Sequence, residues 1–146
     1  MRRGTCNVPL ILTWVAIGGG FDAPNLYNLA NFVRAVPDNA VLTLETSMLN
    51  VLPINMMAIA MGLHVRCGIE DNLWTQDRKA KMGTVKQIEQ LVRLSREFGR
   101  EVATGKEARE ICKIGVFYDS IEETLAQNGF APNARPGLQG YLRKAA

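Results

Sequence analysis

The chain has a single histidine, His64, among its 146 residues. Zinc held only by imidazoles is therefore impossible within it, and a Ser-His-Asp triad has to use His64. Cysteine is nearly as scarce. Cys6, Cys67 and Cys112 stand far apart with no Cys-x-x-Cys spacing, which favours reduced thiols in a cytoplasm over a disulfide framework. Charge of one sign is also missing. Seventeen basic and 14 acidic residues leave a net +3. With no basic stripe, there is no electrostatic footprint for nucleic acid. Long apolar runs are absent too. Residues 8–17 are too short to span a bilayer, and three glycines follow them. No signal-peptide pattern opens the chain. The expectation is a soluble, cytoplasmic protein with no membrane and no nucleic-acid partner. Hydrophobic residues at 47% and charged residues at 21% are ordinary globular values, which exclude a disordered tail, and the length argues for one domain or less.

Alternating elements fill that length. Residues 9–17 (PLILTWVAI) read as a buried parallel strand, because the run is apolar on both faces. Residues 21–37 read as a helix with Leu26, Leu29, Val33 and Val36 on one side. Asp22 is its expected cap, Pro24 suits its first turn and Pro37 stops it. Residues 40–47 read as a second strand, with Leu42 and Leu44 on one face and Val41, Thr43 and Glu45 on the other. Residues 53–61 are apolar nearly all round and read as a buried helix ended by Gly62. Residues 64–71 (HVRCGIED) read as a third strand, and residues 73–83, with Arg78, Lys79 and Lys81, as an exposed loop. Capping boxes are expected at Thr84/Gln87, Thr104/Glu107 and Ser120/Glu123, each opening a helix. Gly99 closes the first of these helices, the second runs through Ile114, and Asn128-Gly129 ends the third. The tail from Ala131, with Pro132, Pro136 and Gly137, reads as irregular. Strand starts roughly 30 and then about 24 residues apart fit βαβ crossovers.

In parallel α/β folds functional groups collect at the carboxyl ends of strands. Three such ends are predicted: Gly18-Gly19-Gly20, Glu45-Thr46-Ser47 and Glu70-Asp71-Asn72. Two adjacent acids are costly unless something uses them. Arg66 lies four residues before Glu70, which in a regular strand means one face and a separation of about 13 Å. This cluster reads either as a metal or acid–base site or as a polar loop with a surface Arg–Glu pair. The glycines read either as a phosphate cradle or as a tight turn. His64 reads as a structural histidine, Met56, Met57 and Met61 as core, and Cys67 as a poor nucleophile without a base.

The run HVRCGIEDN, residues 64–72, closely resembles the signature of the β-keto acid cleavage enzymes. The similarity continues through VKQIEQLVR (residues 85–93), GREVATGKEAR (99–109), EETL (122–125) and APN (131–133). The apolar strand with its glycines also fits. The resemblance implies an α/β fold: a partial (β/α)8 TIM barrel made of the last three βα units plus C-terminal helices. Residues 1–146 are then the C-terminal part of one barrel domain whose N-terminal strands are absent, since such barrels need about 250 residues. It implies condensation of a β-keto acid of the 3-keto-5-aminohexanoate kind, as in lysine degradation, with acetyl-CoA, giving acetoacetate and a new CoA thioester. It implies zinc bound by two histidines and one glutamate. Glu70 corresponds to that glutamate, Asp71 to the acid–base residue, and Arg66 to the arginine that holds it and places the substrate.

The histidine pair has no counterpart here, and residues 45–50 match less well than their surroundings. The expectation is therefore a truncated or split enzyme, inactive alone and completed by a missing N-terminal half. The alternative is a non-catalytic remnant that oligomerises or docks onto a full-length relative. A small phosphate-binding sheet domain using the glycines is a third reading. Cut edges predict a chain that self-associates.

Overall fold

The computed structural model describes residues 1–9, 12–17, 23–36, 40–46 and 51–134. The glycine turn at Gly18, Gly19 and Gly20 lies outside them, as do Asp22, Pro37 and Ser47. Three strands, β1 (Leu12–Ile17), β2 (Val41–Thr46) and β3 (His64–Val65), form one parallel sheet in the order β1-β2-β3. The β1–β2 register pairs Leu12 with Val41 and Ile17 with Thr46. Helices α1 (Leu26–Ala35), α2 (Val51–Ala60) and α3 (Thr84–Glu97) follow the strands in turn. Two short helices, α4 (Gly105–Ile111) and α5 (Ile121–Gln127), come last among the described residues. No helix among the described residues is long and apolar enough to cross a membrane.

Alternation along β2 sets the core. Leu42, Leu44 and Thr46 are buried, while Val41, Thr43 and Glu45 are half-buried. Successive strand side chains point to opposite faces, so the apolar set turns together toward the helices. Leu42 and Leu44 meet Leu29 of α1 and Ile54 and Ala58 of α2, with Phe32, Val33, Val36, Met57, Leu63 and Val65 packed around them. Asn25 is the cap of α1, where Asp22 was expected: its side chain accepts from the Asn28 amide at 3.0 Å. Gly62 ends α2 at φ +83, a left-handed conformation that a side chain would resist.

The third strand is much shorter than residues 64–71. Its ladder closes with the Arg66 amide on the Leu44 carbonyl at 2.9 Å. The chain then turns at Gly68, whose carbonyl accepts from the amides of Asp71 and Asn72 at 3.1 and 3.0 Å. The expected Thr84/Gln87 capping box does not form. Gly83 is the cap of α3, without a side-chain hydrogen bond, because both box residues are engaged elsewhere. Thr84 Oγ1 accepts from the Ile69 amide, and the buried Gln87 amide donates to the carbonyls of Asn72 and Met82. The Thr104/Glu107 box is complete, although α4 ends at Ile111 rather than Ile114. At α5 only half of the expected box forms. Ser120 accepts from the Glu123 amide, but Glu123 reaches back to the amide of Asp119.

The N-terminal segment is tied to the far end of the described chain. Asn7 and Tyr118 exchange two hydrogen bonds, Asn128 donates to the Val8 carbonyl, and Arg2 and Asn133 bind each other.

Candidate functional site

The carboxyl ends of β2 and β3 meet at one guanidinium. Arg66 Nη1 contacts Glu45 Oε2 at 2.9 Å, and Nη2 contacts Glu70 Oε2 at 2.7 Å and Asp71 Oδ1 at 3.3 Å. Neighbouring parallel strands bring Glu45 beside Arg66, and the Gly68 turn folds Glu70 and Asp71 back onto it. The turn corrects the expected separation of about 13 Å between Arg66 and Glu70, which assumed a strand running through both. Below the guanidinium, the fully buried Asn55 of α2 donates to the Arg66 carbonyl at 3.3 Å and fixes the backbone there.

The three acids sit in different surroundings. The Glu70 side chain is 83% exposed, Glu45 is 14% exposed and Asp71 only 3%. Burial pushes the Asp71 carboxyl up from 3.8 to about 6. A hydrogen bond with Glu45 and its charge add to the rise, and Arg66 opposes it. Asp71 Oδ2 is buried with no donor facing it. One proton held by the Glu45–Asp71 pair relieves the repulsion of two like charges in one site. The arrangement therefore raises the basicity of one carboxylate while a cation keeps it oriented, which suits proton transfer near pH 7.

The other expected residues divide cleanly. Cys67 is half-buried, and burial together with the Asp71 charge raises its thiol, which agrees with a poor nucleophile. His64 is exposed at the amino end of β3, away from Glu70. Among the described residues no three His, Cys, Asp or Glu side chains gather where they could hold a metal ion. The sequence reading named Glu45 at a strand end but gave it no role. Its signal was the acid on the polar face of β2, one strand away from Arg66.

Residues 1–114 match the profile of a family described as beta-keto acid cleavage enzyme. The 3-keto-5-aminohexanoate cleavage enzyme of Acetoanaerobium sticklandii is 34% identical over 114 residues, which are 77% of this chain and 41% of that protein. The enzyme of the same name from Fusobacterium nucleatum is 34% identical over 81 residues, 56% of this chain and 30% of its own. A 3,5-dioxohexanoate:acetyl-CoA acetone transferase of Paraburkholderia graminis is 28% identical over 65 residues, covering 44% and 21%. The chain thus spans about two fifths of the length of the first of these relatives.

Proposed function

Because the chain belongs to the beta-keto acid cleavage enzyme family, we propose that it carries one side of an active site that condenses a β-keto acid with acetyl-CoA. The observation that carries this reading is the Arg66 guanidinium at the carboxyl end of the sheet, gathering Glu45, Glu70 and the buried Asp71. Three consecutive βα units of a (β/α)8 barrel are the architecture that fits such a sheet end, with the remaining strands supplied from outside these 146 residues.

Asp71 is the proton acceptor. With its carboxyl at about 6 it is mostly ionised at pH 7 yet still basic. A C–H bond between the two carbonyls of the β-keto acid breaks and the proton moves to Asp71. The electron pair left on carbon attacks the thioester carbonyl and expels the CoA thiolate. That thiolate attacks the ketone, the adjoining carbon–carbon bond breaks, and Asp71 returns its proton to the carbon released. The products are acetoacetate and a new thioester. Arg66 keeps Asp71 aimed and balances its charge through the cycle.

Zinc does not fit the described residues by themselves. Glu70 is a lone exposed carboxylate bound to Arg66, and no second and third ligands gather near it. Glu70 is proposed as one ligand of a set whose two histidines come from outside this chain, since a catalytic zinc site needs three protein ligands.

The test mixes the chain with the separately produced N-terminal part of a full-length relative. Alone, the chain is expected to retain no zinc and form no acetoacetate; the mixture is expected to do both. In the mixture Glu70→Ala loses metal. Asp71→Asn keeps metal and loses rate by about 10²-fold or more. Arg66→Ala keeps metal and slows turnover. Metal retained by Glu70→Ala but lost by Asp71→Asn overturns the assignment of the two acids. A mixture that assembles but never turns over points to the non-catalytic remnant.

A further inference from the structure

Directly after the carboxylate cluster the chain makes a hairpin that the proton chemistry does not use. Trp74 pairs antiparallel with Lys81, the Thr75 amide donates to the Ala80 carbonyl at 2.8 Å, and the Met82 amide donates to Leu73 at 2.9 Å. At the tip Arg78 takes a left-handed φ of 57. The turn is closed by Asp77, which accepts from the Thr75 hydroxyl and the Lys79 amide. Both legs are fastened beside the site. Asn72 exchanges two hydrogen bonds with Trp74, and the buried Gln87 amide clamps the carbonyls of Asn72 and Met82 at 2.8 and 3.1 Å. A buried amide bound to two hairpin carbonyls ties both legs of this loop to the first turn of α3.

Its charge is lopsided. Residues 75–86 hold Arg78, Lys79, Lys81 and Lys86 against Asp77 alone, an excess equal to the net +3 of the whole chain. Arg78, Lys79, Lys81 and Lys86 are exposed, and among the described residues no carboxylate lies within ion-pair distance of them. The start of α3 stands at the foot of the same loop with no side chain capping its first amides. Those amides present the positive end of the helix dipole in the same direction of charge. Unpaired cations on a fixed loop are an anion site awaiting its anion.

The geometry points to this hairpin as the landing site for the phosphate groups of CoA, its 3′-phosphate and pyrophosphate. This rests on the reading that acetyl-CoA is the co-substrate. The pantetheine arm separates the thioester from the phosphates, so a phosphate site belongs on the same end of the sheet as Asp71 but away from it. Six residue steps from Asn72 to Arg78 reach at most about 20 Å at roughly 3.3 Å each, and the hairpin leaves from the residue next to Asp71.

The 146-residue chain itself is titrated with adenosine 3′,5′-bisphosphate by calorimetry, with indole emission as a second signal, since Lys81 lies over the Trp74 ring at 5.9 Å. The expected result is saturable binding that weakens with added salt and is about tenfold or more weaker in the triple variant R78Q/K79Q/K81Q. AMP, with one phosphate, is expected to bind correspondingly less. Equal binding by the parent and the triple variant, or no binding at all, overturns the assignment. All three side chains are exposed, and circular dichroism checks that the variant keeps its fold. No turnover is read, so a failed condensation assay leaves this result standing. In a reconstituted active mixture the triple variant is expected to raise KM for acetyl-CoA with kcat kept; an unchanged KM overturns the hairpin while leaving the condensation intact.

Discussion

Asp71 is where local energetics and chemistry meet. Its folded carboxyl lies at about 6 against an ordinary 3.8, so the folded chain holds a proton that the unfolded chain gives up between about pH 4 and pH 6. The stability linked to that proton is complete below about pH 4 and is lost as pH rises through 6. Asp71→Asn removes the linkage. Urea midpoints at pH 4.5 and 7.5 are expected to converge in the variant, which gains on the order of 2 kcal/mol relative to the parent at the higher pH. A parent midpoint that does not fall over this range contradicts the raised carboxyl. Arg66→Met has the opposite sign. It leaves Glu45 and Asp71 together without their cation and is expected to cost roughly 3 kcal/mol at pH 7.5, and less at pH 4.5 where a proton replaces it. Arg66, Glu70 and Asp71 stood out in the sequence as charged neighbours, but their meeting did not, because a strand running through residue 71 sets Arg66 and Glu70 about 13 Å apart. The role of Glu45 was not, since it depends on which residue of β2 lies beside which residue of β3. Gly68 was the overlooked sign that the chain turns between Arg66 and Glu70.

Element boundaries followed the same logic of competing partners. The alternation of β2 was read correctly, because it reports burial directly, whereas α2 is buried on one side only: Ile54, Ala58 and Ile59 are buried, while Met61, read as core, is 45% exposed beyond the helix end. The Thr84/Gln87 box failed because Gln87 satisfies two hairpin carbonyls, a demand that helix-start patterns do not register. Arg100 was passed over for a similar reason. It lies beyond α3 in sequence, yet Nη1 donates to the carbonyls of Ile59 and Leu63 at 2.7 and 3.2 Å, and Nη2 to Gly62 at 3.1 Å. One guanidinium thus closes the end of α2, where the helix dipole also favours a cation. Arg100→Ala is expected to lower stability by about 1–3 kcal/mol, with an unchanged denaturant slope. Arg100→Lys recovers only part of this, because an ammonium does not span the three carbonyls as a planar fork does. Equal stability of all three proteins in urea unfolding contradicts the cap.

At the scale of the whole molecule, β1 and β3 are the outer strands of the three-stranded sheet among the described residues, and strand edges left open invite pairing. Residues 101–120 are exposed almost throughout and include Val102, Ile111, Ile114, Val116 and Phe117. The purified chain is expected to self-associate. Sedimentation showing a compact monomer at high concentration counts against the barrel reading. The parallel order of the strands was legible because each strand is followed by a helix long enough to carry the chain back. The shortness of β3 was not, since residues 66–71 keep a strand-like pattern while the chain turns at Gly68.

The contacts between the first eight residues and residues 118–133 carry a consequence in time. Their partners are separated by 111 to 131 positions, the farthest-reaching hydrogen bonds described here. A ribosome delivers residues 2–8 more than a hundred positions before the groups they bond. Those bonds cannot form until residues 118–133 have emerged, and a chain cut before residue 118 makes none of them.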